Sequence, residues 1–250
     1  RDKLVTGVQT CALPICAASG AFTRTNAPAW NGWGADTANT RYQNRGAAGV
    51  GAAEAPRLKL KWAFGFPGEL SSDSQPAIAG GRIFVGTQSG VVYSLNAGTG
   101  CVHWFFQAAS AVRAAVTISR VQTKSGPRDV AFIGDRAANV YAVDAATGTL
   151  LWKVTVDNHP LARVTGSPVF HNGRLYVGTA SGEETAGASP EYECCRFRGS
   201  LIALDGATGT QIWKTYTIAE EPRPTKKNKV GTQMWGPSGA PVWSSPAIDV

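Results

Sequence analysis

The stretch NVYAVDAATGTLLW, residues 139–152, gives the clearest indication of the fold because two other parts of the chain repeat its pattern. These parts are VVYSLNAGTGCVHW at residues 91–104 and SLIALDGATGTQIW at residues 200–213. Each has alternating apolar residues, then Asp or Asn, then Thr-Gly, and ends on tryptophan. An earlier tryptophan, Trp62, closes a further copy whose first half has diverged. Self-similarity of this kind predicts a repeat architecture.

Within one repeat, the local chemistry predicts short strands joined by tight turns. Alternating apolar residues, as in RIFVGT at residues 82–87, are typical of strands. Asp-x-x-Thr-Gly predicts a turn in which the carboxylate binds nearby amides and glycine takes positive φ. Each unit then offers about four antiparallel strands, which is a blade of an all-β propeller. About four blades are expected, with Trp62, Trp104, Trp152 and Trp213 packed between neighbouring blades.

Composition excludes several other classes. The chain has 250 residues, 43% of them hydrophobic and 16% charged, so a disordered chain and a coiled coil are both excluded. No run of 18 apolar residues exists, so no membrane span is predicted. The net charge is +7, but the basic residues are scattered except for one cluster at residues 223–229. We therefore predict no nucleic-acid partner; an acidic small ligand or redox partner fits this charge as well.

Residues 1–15, RDKLVTGVQTCALPI, resemble a translated sequencing adapter and are excluded as non-native. Residues 16–250 then form a partial propeller that is truncated at both ends. Cys11 falls in the excluded segment and Cys16 lies at its junction, while Cys101 is expected to be a lone, buried and inert cysteine. A partial wheel exposes sheet edges, so we expect the isolated chain to be unstable or prone to self-association.

The Asp-x-x-Thr-Gly-x-x-x-Trp repeat resembles the blades of pyrroloquinoline quinone (PQQ)-type propellers. That group includes eight-bladed quinoprotein alcohol dehydrogenases, of which about half a wheel is present here, and non-enzymatic outer-membrane assembly scaffolds. Residues 30–43 and 55–68 resemble the first segment of the dehydrogenases. Residues 139–160, 181–200 and 227–249 are similar to the cytochrome-linked polyvinyl alcohol dehydrogenases.

The resemblance implies PQQ as cofactor, a flat ortho-quinone with three carboxylates. Trp243, in APVWSSPAID, departs from the spacing of the blade-ending tryptophans. It matches the tryptophan on which the cofactor stacks in the dehydrogenases, although a core tryptophan is the alternative. The resemblance assigns further cofactor contacts to Asp73, Arg113, Thr165, Ser181 and Gly182.

Glu183 and Glu184 are adjacent carboxylates at the end of a predicted strand. Such a pair repels unless a cation or solvent compensates the charge, and hard oxygen ligands suit Ca²⁺. The Ser-Gly-x-Glu pattern of the resembling family makes Glu184 a Ca²⁺ ligand, with Glu183 as a second candidate. A solvated pair in a loop is the alternative.

Cys194 and Cys195 are adjacent, and a trans peptide bond places adjacent Cα atoms about 3.8 Å apart, below the usual disulfide range of about 4.4–6.8 Å. A disulfide between them is a strained ring of the kind found at functional places. Methanol-oxidising relatives stack such a ring on the cofactor, but carry it one blade earlier. Here it reaches the cofactor from another loop or rigidifies an insertion; free thiols or a metal pair remain alternatives. His103, His159 and His171 are predicted to be structural, and without Cys-x-x-Cys-His the chain holds no c-type haem.

Two functional hypotheses follow. The first is a periplasmic PQQ- and Ca²⁺-dependent dehydrogenase that oxidises secondary alcohols of a polyol and passes electrons to cytochrome c. Its general-base aspartate and an asparagine ligand of Ca²⁺ are expected beyond Val250, so no catalytic residue is assigned. The second is a non-catalytic binding or assembly scaffold, which needs neither Glu184, Trp243 nor the cysteine pair. A disulfide favours the periplasm.

Overall fold

The computed structural model describes residues 13–17, 22–23 and 29–249, which form mainly antiparallel β-structure. The first sheet has four strands, each paired antiparallel with the next in chain order. They are β1 (Ala77–Ala79), β2 (Arg82–Gly86), β3 (Val91–Asn96) and β4 (Val102–Gln107). This is the predicted blade.

Two further sheets repeat the arrangement. The second contains β5 (Thr117–Thr123), β6 (Gly126–Gly134), β7 (Asn139–Asp144) and β8 (Leu150–Thr155). In the third sheet, β9 (Ala162–Arg163) pairs with the end of a long strand of the four-stranded path. That path consists of β10 (Val169–His171), β11 (Arg174–Ser181), β12 (Ser200–Asp205) and β13 (Gln211–Tyr216).

The remaining elements are short. They are α1 (Arg45–Ala48), a 3₁₀ turn (Ala55–Arg57), α2 (Glu183–Ala186), and a hairpin of β14 (Arg223–Lys227) and β15 (Gln233–Gly236). None of the helices in the described ranges is long and apolar enough to cross a membrane.

The all-β partial propeller is confirmed for the described residues, which hold complete blades and parts of two further units. Three blades are complete there. Residues 58–66, around Trp62, form no strand, because their diverged sequence lacks the hairpin pattern of the other copies. Residues 242–249 supply only the beginning of a further unit.

The repeated turn has the predicted chemistry. Asp144 Oδ1 accepts the backbone N–H groups of Ala146 and Thr147, each at 3.0 Å, and Gly148 has φ of +78°. The turns that contain Asn96 and Asp205 have the same bonds and the same positive-φ glycine. The side-chain oxygen of the Asp or Asn thus accepts hydrogen bonds from turn N–H groups that have no partner strand.

The repeated tryptophans join neighbouring units, as predicted. The indole N–H of Trp104, on the last strand of the first blade, donates to the Ala145 carbonyl in the turn of the second blade at 3.0 Å. Trp152 makes the same bond to Gly206 in the third blade at 3.2 Å. Each ring also covers the turn glycine of the next unit, so that a Cβ on Gly148 would lie 2.9 Å from the Trp104 ring. Glycine is therefore required there both for positive φ and for the tryptophan's approach.

The core lies between the sheets. Strand β6 of the second sheet is buried on both faces at its end. Its successive side chains alternate between the face that packs on the first sheet and the face that packs on the third. Ile133 belongs to the cluster shared with the first sheet, next to Phe84 and Val92. Phe132 belongs to the cluster shared with the third sheet, next to Leu175. The blades are thus stabilised mainly by contacts with each other.

Residues 13–17 contact the first blade. Ile15 forms a parallel bridge with Val102, and Leu13 packs on the apolar side chains of that sheet. Cys16 and Cys101 form a disulfide with Cα atoms 5.1 Å apart. The expectation that Cys101 is a lone thiol is therefore wrong, because the preceding segment brings a second cysteine beside β4. The adapter origin of residues 1–15 stays a prediction, and Cys11 lies outside the described residues.

Candidate functional site

A short segment precedes the first strand of each complete sheet, and residues 242–246 form a fourth such segment. Val112, Val164 and Val242 occupy equivalent places, because the backbone N–H of each donates to a carbonyl of the preceding unit. The acceptors are Thr87, Asp135 and Thr179, at 3.0, 2.9 and 2.9 Å. A Cβ on the glycine before each acceptor would lie within 3.0 Å of the valine side chain. The glycine of the repeated Gly-Thr or Gly-Asp step therefore lets the inner segment approach.

Serine hydroxyls connect these segments sideways. Ser167 Oγ accepts the Ala115 N–H and Ser245 Oγ accepts the Ser167 N–H, both at 2.8 Å. Ser74 Oγ donates to the Ala114 carbonyl at 3.1 Å. All three serines are buried. These bonds fix the spacing of the four inner segments.

One residue from each segment lines a shared cavity of about 430 Å³. These four residues, which we call the quartet, are Asp73, Arg113, Thr165 and Trp243. Each is predicted separately from the sequence as a cofactor contact, and the structure brings the four together. Each lies three residues before a matching position, namely Pro76, Val116, Pro168 or Pro246.

A second chamber of about 280 Å³ shares the quartet and adds Trp33 and Arg41. These two come from residues 29–43, which cross several inner segments. Trp30 pairs with Ile78 of β1. The Arg41 guanidinium lies 4.5 Å from the Trp33 ring centroid. Residues 29–43 therefore form one wall of the site.

Trp243 differs from the tryptophans that join the blades. Its side chain is 41% exposed, whereas Trp104 is 7% exposed. An exposed indole at a cavity offers a flat apolar face to a ligand. Thr165 is the second unusual member, because its hydroxyl oxygen is buried and has no hydrogen-bond partner among the described residues. Buried hydroxyls are normally paired, so this one is available to a ligand.

The cavity carries an excess of positive charge. Arg136 and Arg163 line it beside Arg113, and Asp73 is the one acidic residue among the described residues that line either chamber. The Gln88 side-chain amide donates to the Asp73 carboxylate. Guanidinium groups bind carboxylates in a planar fork. The electrostatics therefore favour a ligand with several carboxylates.

Ser181 and Gly182 border the cavity without lining it. Ser181 pairs with Ala162 across β11 and β9, next to Arg163. A Cβ on Gly182 would overlap the Arg163 guanidinium, so glycine leaves room for that side chain. The Ser181 hydroxyl is buried and accepts the Glu183 N–H at 3.2 Å. Gly182 thus makes room for Arg163, and a direct cofactor contact of Ser181 or Gly182 stays a prediction.

Glu183 has a role that the sequence did not predict. It is buried, and its carboxylate accepts the N–H groups of Arg196 and Phe197 at 2.9 and 2.8 Å and the Tyr192 hydroxyl at 3.0 Å. His159 Nε2 lies 3.3 Å away, while its Nδ1 accepts the Leu161 N–H. Glu183 therefore holds the following loop, which leaves its oxygens little capacity for a metal.

Burial, followed by the hydrogen bond to Glu183, raises the pKa of Tyr192 to about 12. Tyr192 thus stays a hydrogen-bond donor to the carboxylate at neutral pH. Glu184, by contrast, is exposed. No cluster of three or more His, Cys, Asp or Glu side chains able to hold a metal occurs within the described ranges. Glu184 can thus supply one metal ligand, close to Gly182 in the chain, and other ligands must come from elsewhere.

Cys194 and Cys195 form the predicted disulfide. The pair lies in the loop held by Glu183 and is not among the residues that line the quartet's cavity. The Cys194 carbonyl accepts the Trp235 N–H at 2.8 Å, and the Arg196 guanidinium lies 3.8 Å from the Trp235 ring centroid. The ring is thus part of the contact between this loop and the β14–β15 hairpin.

The sequence patterns did not identify Trp33, Arg41, Arg136 and Arg163 as site residues. Arg41 lies in a segment that stands out only for its resemblance, and Arg136 follows directly after the Gly-Asp step of the second blade. A usable signal existed, because three members of the quartet stand at equivalent places before a proline. An alignment of the inner segments with one another groups the quartet from the sequence alone.

Repeated four-stranded sheets, joined by tryptophans and bordering a cationic cavity, define a partial β-propeller. The family model described as "Outer membrane protein assembly factor BamB" matches residues 28–226, and the chain belongs to this family of PQQ-type propellers. It is 46% identical to a polyvinylalcohol dehydrogenase of Pseudomonas sp. and 45% identical to one of Sphingopyxis sp. (strain 113P3), in each case over 88% of this chain. The predicted resemblance to quinoprotein alcohol dehydrogenases is confirmed.

The match covers only part of each relative. The chain spans 34% and 33% of the length of these two curated relatives. Among solved structures, the quinohemoprotein alcohol dehydrogenase from Comamonas testosteroni has a TM-score of 0.60 at 23% identity, covering 79% of this chain and 28% of that one. A europium-containing methanol dehydrogenase has a TM-score of 0.56 at 21% identity, covering 76% and 32%. These two likenesses support the fold.

Proposed function

We propose that this chain is part of a PQQ- and Ca²⁺-dependent dehydrogenase that oxidises secondary alcohol groups of a polyvinyl alcohol-like polymer. The observation that carries the proposal is the convergence of the quartet, one residue from each of four inner segments, on one cavity. Its relatives are named polyvinylalcohol dehydrogenases, which supports an alcohol substrate. In this proposal cytochrome c accepts the electrons, and the protein works in the periplasm.

The residues present fit PQQ. The exposed Trp243 ring gives the flat quinone a face, and Arg113, Arg136 and Arg163 can pair with its carboxylates. The unpartnered Thr165 hydroxyl can donate to an oxygen of the ligand. When bound, a quinone supplies the acceptor for the hydride of the alcohol. The protein's own part, in the described residues, is to bind and orient that ring.

Ca²⁺ fits less completely. Glu184 offers a free carboxylate near Gly182, and hard oxygen ligands suit this ion. A Ca²⁺ ion needs about six to eight oxygens, so other ligands must join Glu184. We propose Glu184 rather than Glu183 as one ligand, because the Glu183 oxygens hold the loop.

The alternative is a non-catalytic scaffold, which the description of the matching family model favours. A scaffold requires the blade tryptophans but gives no reason for an exposed tryptophan among three arginines. The two functions therefore differ in whether the quartet binds a quinone.

The test uses the full-length protein that contains this chain, with Trp243→Ala as the variant. We expect PQQ to bind roughly 5- to 150-fold more weakly, because a stacked ring contact is worth about 1–3 kcal/mol. Equilibrium dialysis measures binding, and PQQ-dependent dye reduction by a secondary alcohol measures activity. His171→Ala, remote from the cavity lining, is the control and should match the parent. Equal PQQ binding by parent and Trp243→Ala, or none by the parent, would favour the scaffold.

A further inference from the structure

The β14–β15 hairpin is the strongest concentration of exposed positive charge in the described residues. Strand β14 is exposed along its whole length. It contributes Arg223, Lys226 and Lys227, and the turn adds Lys229, which is also exposed. Among the described residues none of these four forms an ion pair. The nearby Glu221 faces Arg198 at 3.5 Å instead.

The hairpin is held firmly against the loop that carries the cysteine pair. Asn228 Nδ2 donates to the Pro190 carbonyl at 2.7 Å. Trp235 donates its backbone N–H to Cys194, and its indole N–H to Glu193 Oε2 at 3.3 Å. A charged surface on a fixed support can present one geometry to a partner, which lowers the ordering cost of binding.

The same hairpin is connected to the cavity on two sides. Only six residues separate the end of β15 from Trp243. Within that link, Gly239 exchanges backbone bonds with Phe197 and Gly199, at 2.6 and 2.8 Å. The loop beneath the hairpin starts at α2, directly after Gly182. The hairpin thus stands on elements that border the ligand cavity.

The hairpin turn also offers a small apolar contact. Val230 is 60% exposed and follows Lys229 at the tip. A modest apolar contact surrounded by charge of one sign suits a brief encounter with a partner of the opposite sign. A permanent interface would need a much larger apolar area.

We infer that this basic hairpin is the docking surface for an acidic, soluble electron-acceptor protein. The inference rests on the proposed function, which requires an acceptor. Each secondary alcohol that becomes a ketone releases two electrons and two protons. Two one-electron haem acceptors take the electrons in turn, and the protons pass to solvent. The hairpin attracts the acidic acceptor to the side of the blade from which the Trp243 segment departs.

The test compares two charge reversals in the full-length protein. The first variant carries Lys226→Glu and Lys227→Glu. The control carries Lys59→Glu and Lys61→Glu, which changes the net charge equally on exposed residues elsewhere. The probes are a basic cytochrome c and its succinylated, acidic form. Direct binding of each cytochrome is measured at low ionic strength. The rate at which a secondary alcohol, with PQQ present, reduces each cytochrome is also measured, and a small neutral dye serves as the reference acceptor.

We expect the hairpin variant to bind the acidic cytochrome roughly tenfold or more weakly than the parent, and to reduce it more slowly by a similar factor. The control should lose much less, and the dye rate should match the parent in both variants. The difference should shrink above about 0.15 M salt. Equal losses in the two variants overturn the inference, as does a loss of binding to the basic cytochrome c as large as the loss for the acidic form. If the parent fails to reduce the dye, the proposed function fails, while the binding measurement still decides the docking surface.

Discussion

Two adjacent glutamates on α2 illustrate how one position in the chain changes a residue's role. Glu183 is buried and accepts hydrogen bonds from Tyr192 and from the backbone of Arg196 and Phe197. Glu184 is exposed to solvent. The sequence offers the same carboxylate chemistry twice; burial assigns the Glu183 carboxylate to the loop and leaves the Glu184 carboxylate exposed.

Replacing the buried carboxylate should therefore destabilise the protein. Glu183→Gln leaves a donor facing backbone N–H groups, and unsatisfied buried groups cost about 1–3 kcal/mol each. We expect a lower urea midpoint for Glu183→Gln in the absence of Ca²⁺. Glu184→Gln is the matched control and should unfold like the parent under those conditions. If the two variants unfold alike, the loop does not depend on Glu183.

At the scale of elements, the turn of one blade and the last strand of the preceding one act as a pair. Gly148 has φ of +78° and lies under the Trp104 ring, whose indole N–H is bonded to the neighbouring Ala145. The tryptophan and the turn motif recur together in the sequence because each completes the packing of the adjacent unit.

Gly148→Ala tests this pairing against pure backbone strain. Its left-handed φ costs an alanine about 1–2 kcal/mol, and the overlap with Trp104 adds about 1–3 kcal/mol. Gly173→Ala is the control, because its φ is +79° and a Cβ there would meet nothing within 4 Å. In denaturant unfolding, the free energy of unfolding of Gly148→Ala should be well below that of Gly173→Ala. Equal stabilities would mean that the Trp104 contact is dispensable.

At the scale of the whole molecule, each blade leaves one face for the next. Leu151, next to Trp152, packs into the cluster between the second and third sheets. Ile212, next to Trp213, holds the same place in the third sheet and is 45% exposed. In the described part of the chain no turn follows to cover this face.

The 250-residue chain by itself should therefore self-associate through the third sheet. Ile212→Lys should reduce the association, because a lysine on this apolar face opposes face-to-face contact. Sedimentation velocity at several concentrations measures it, with Lys153→Ala as a surface control. A parent chain that stays monomeric at all concentrations would contradict this prediction.

The repeating unit could be read from the amino-acid sequence: strands from alternating apolar residues, turns from Asp-x-x-Thr-Gly, and tryptophans between blades. Those features depend on neighbours within a few residues, so a local pattern contains them. The whole quartet could also be named, by resemblance. The folded chain alone revealed that Arg136 and Arg163 join the quartet, that Glu183 holds a loop, and that Cys101 has a partner. These depend on contacts between distant segments, whose spacing is set by how the blades pack rather than by any local pattern.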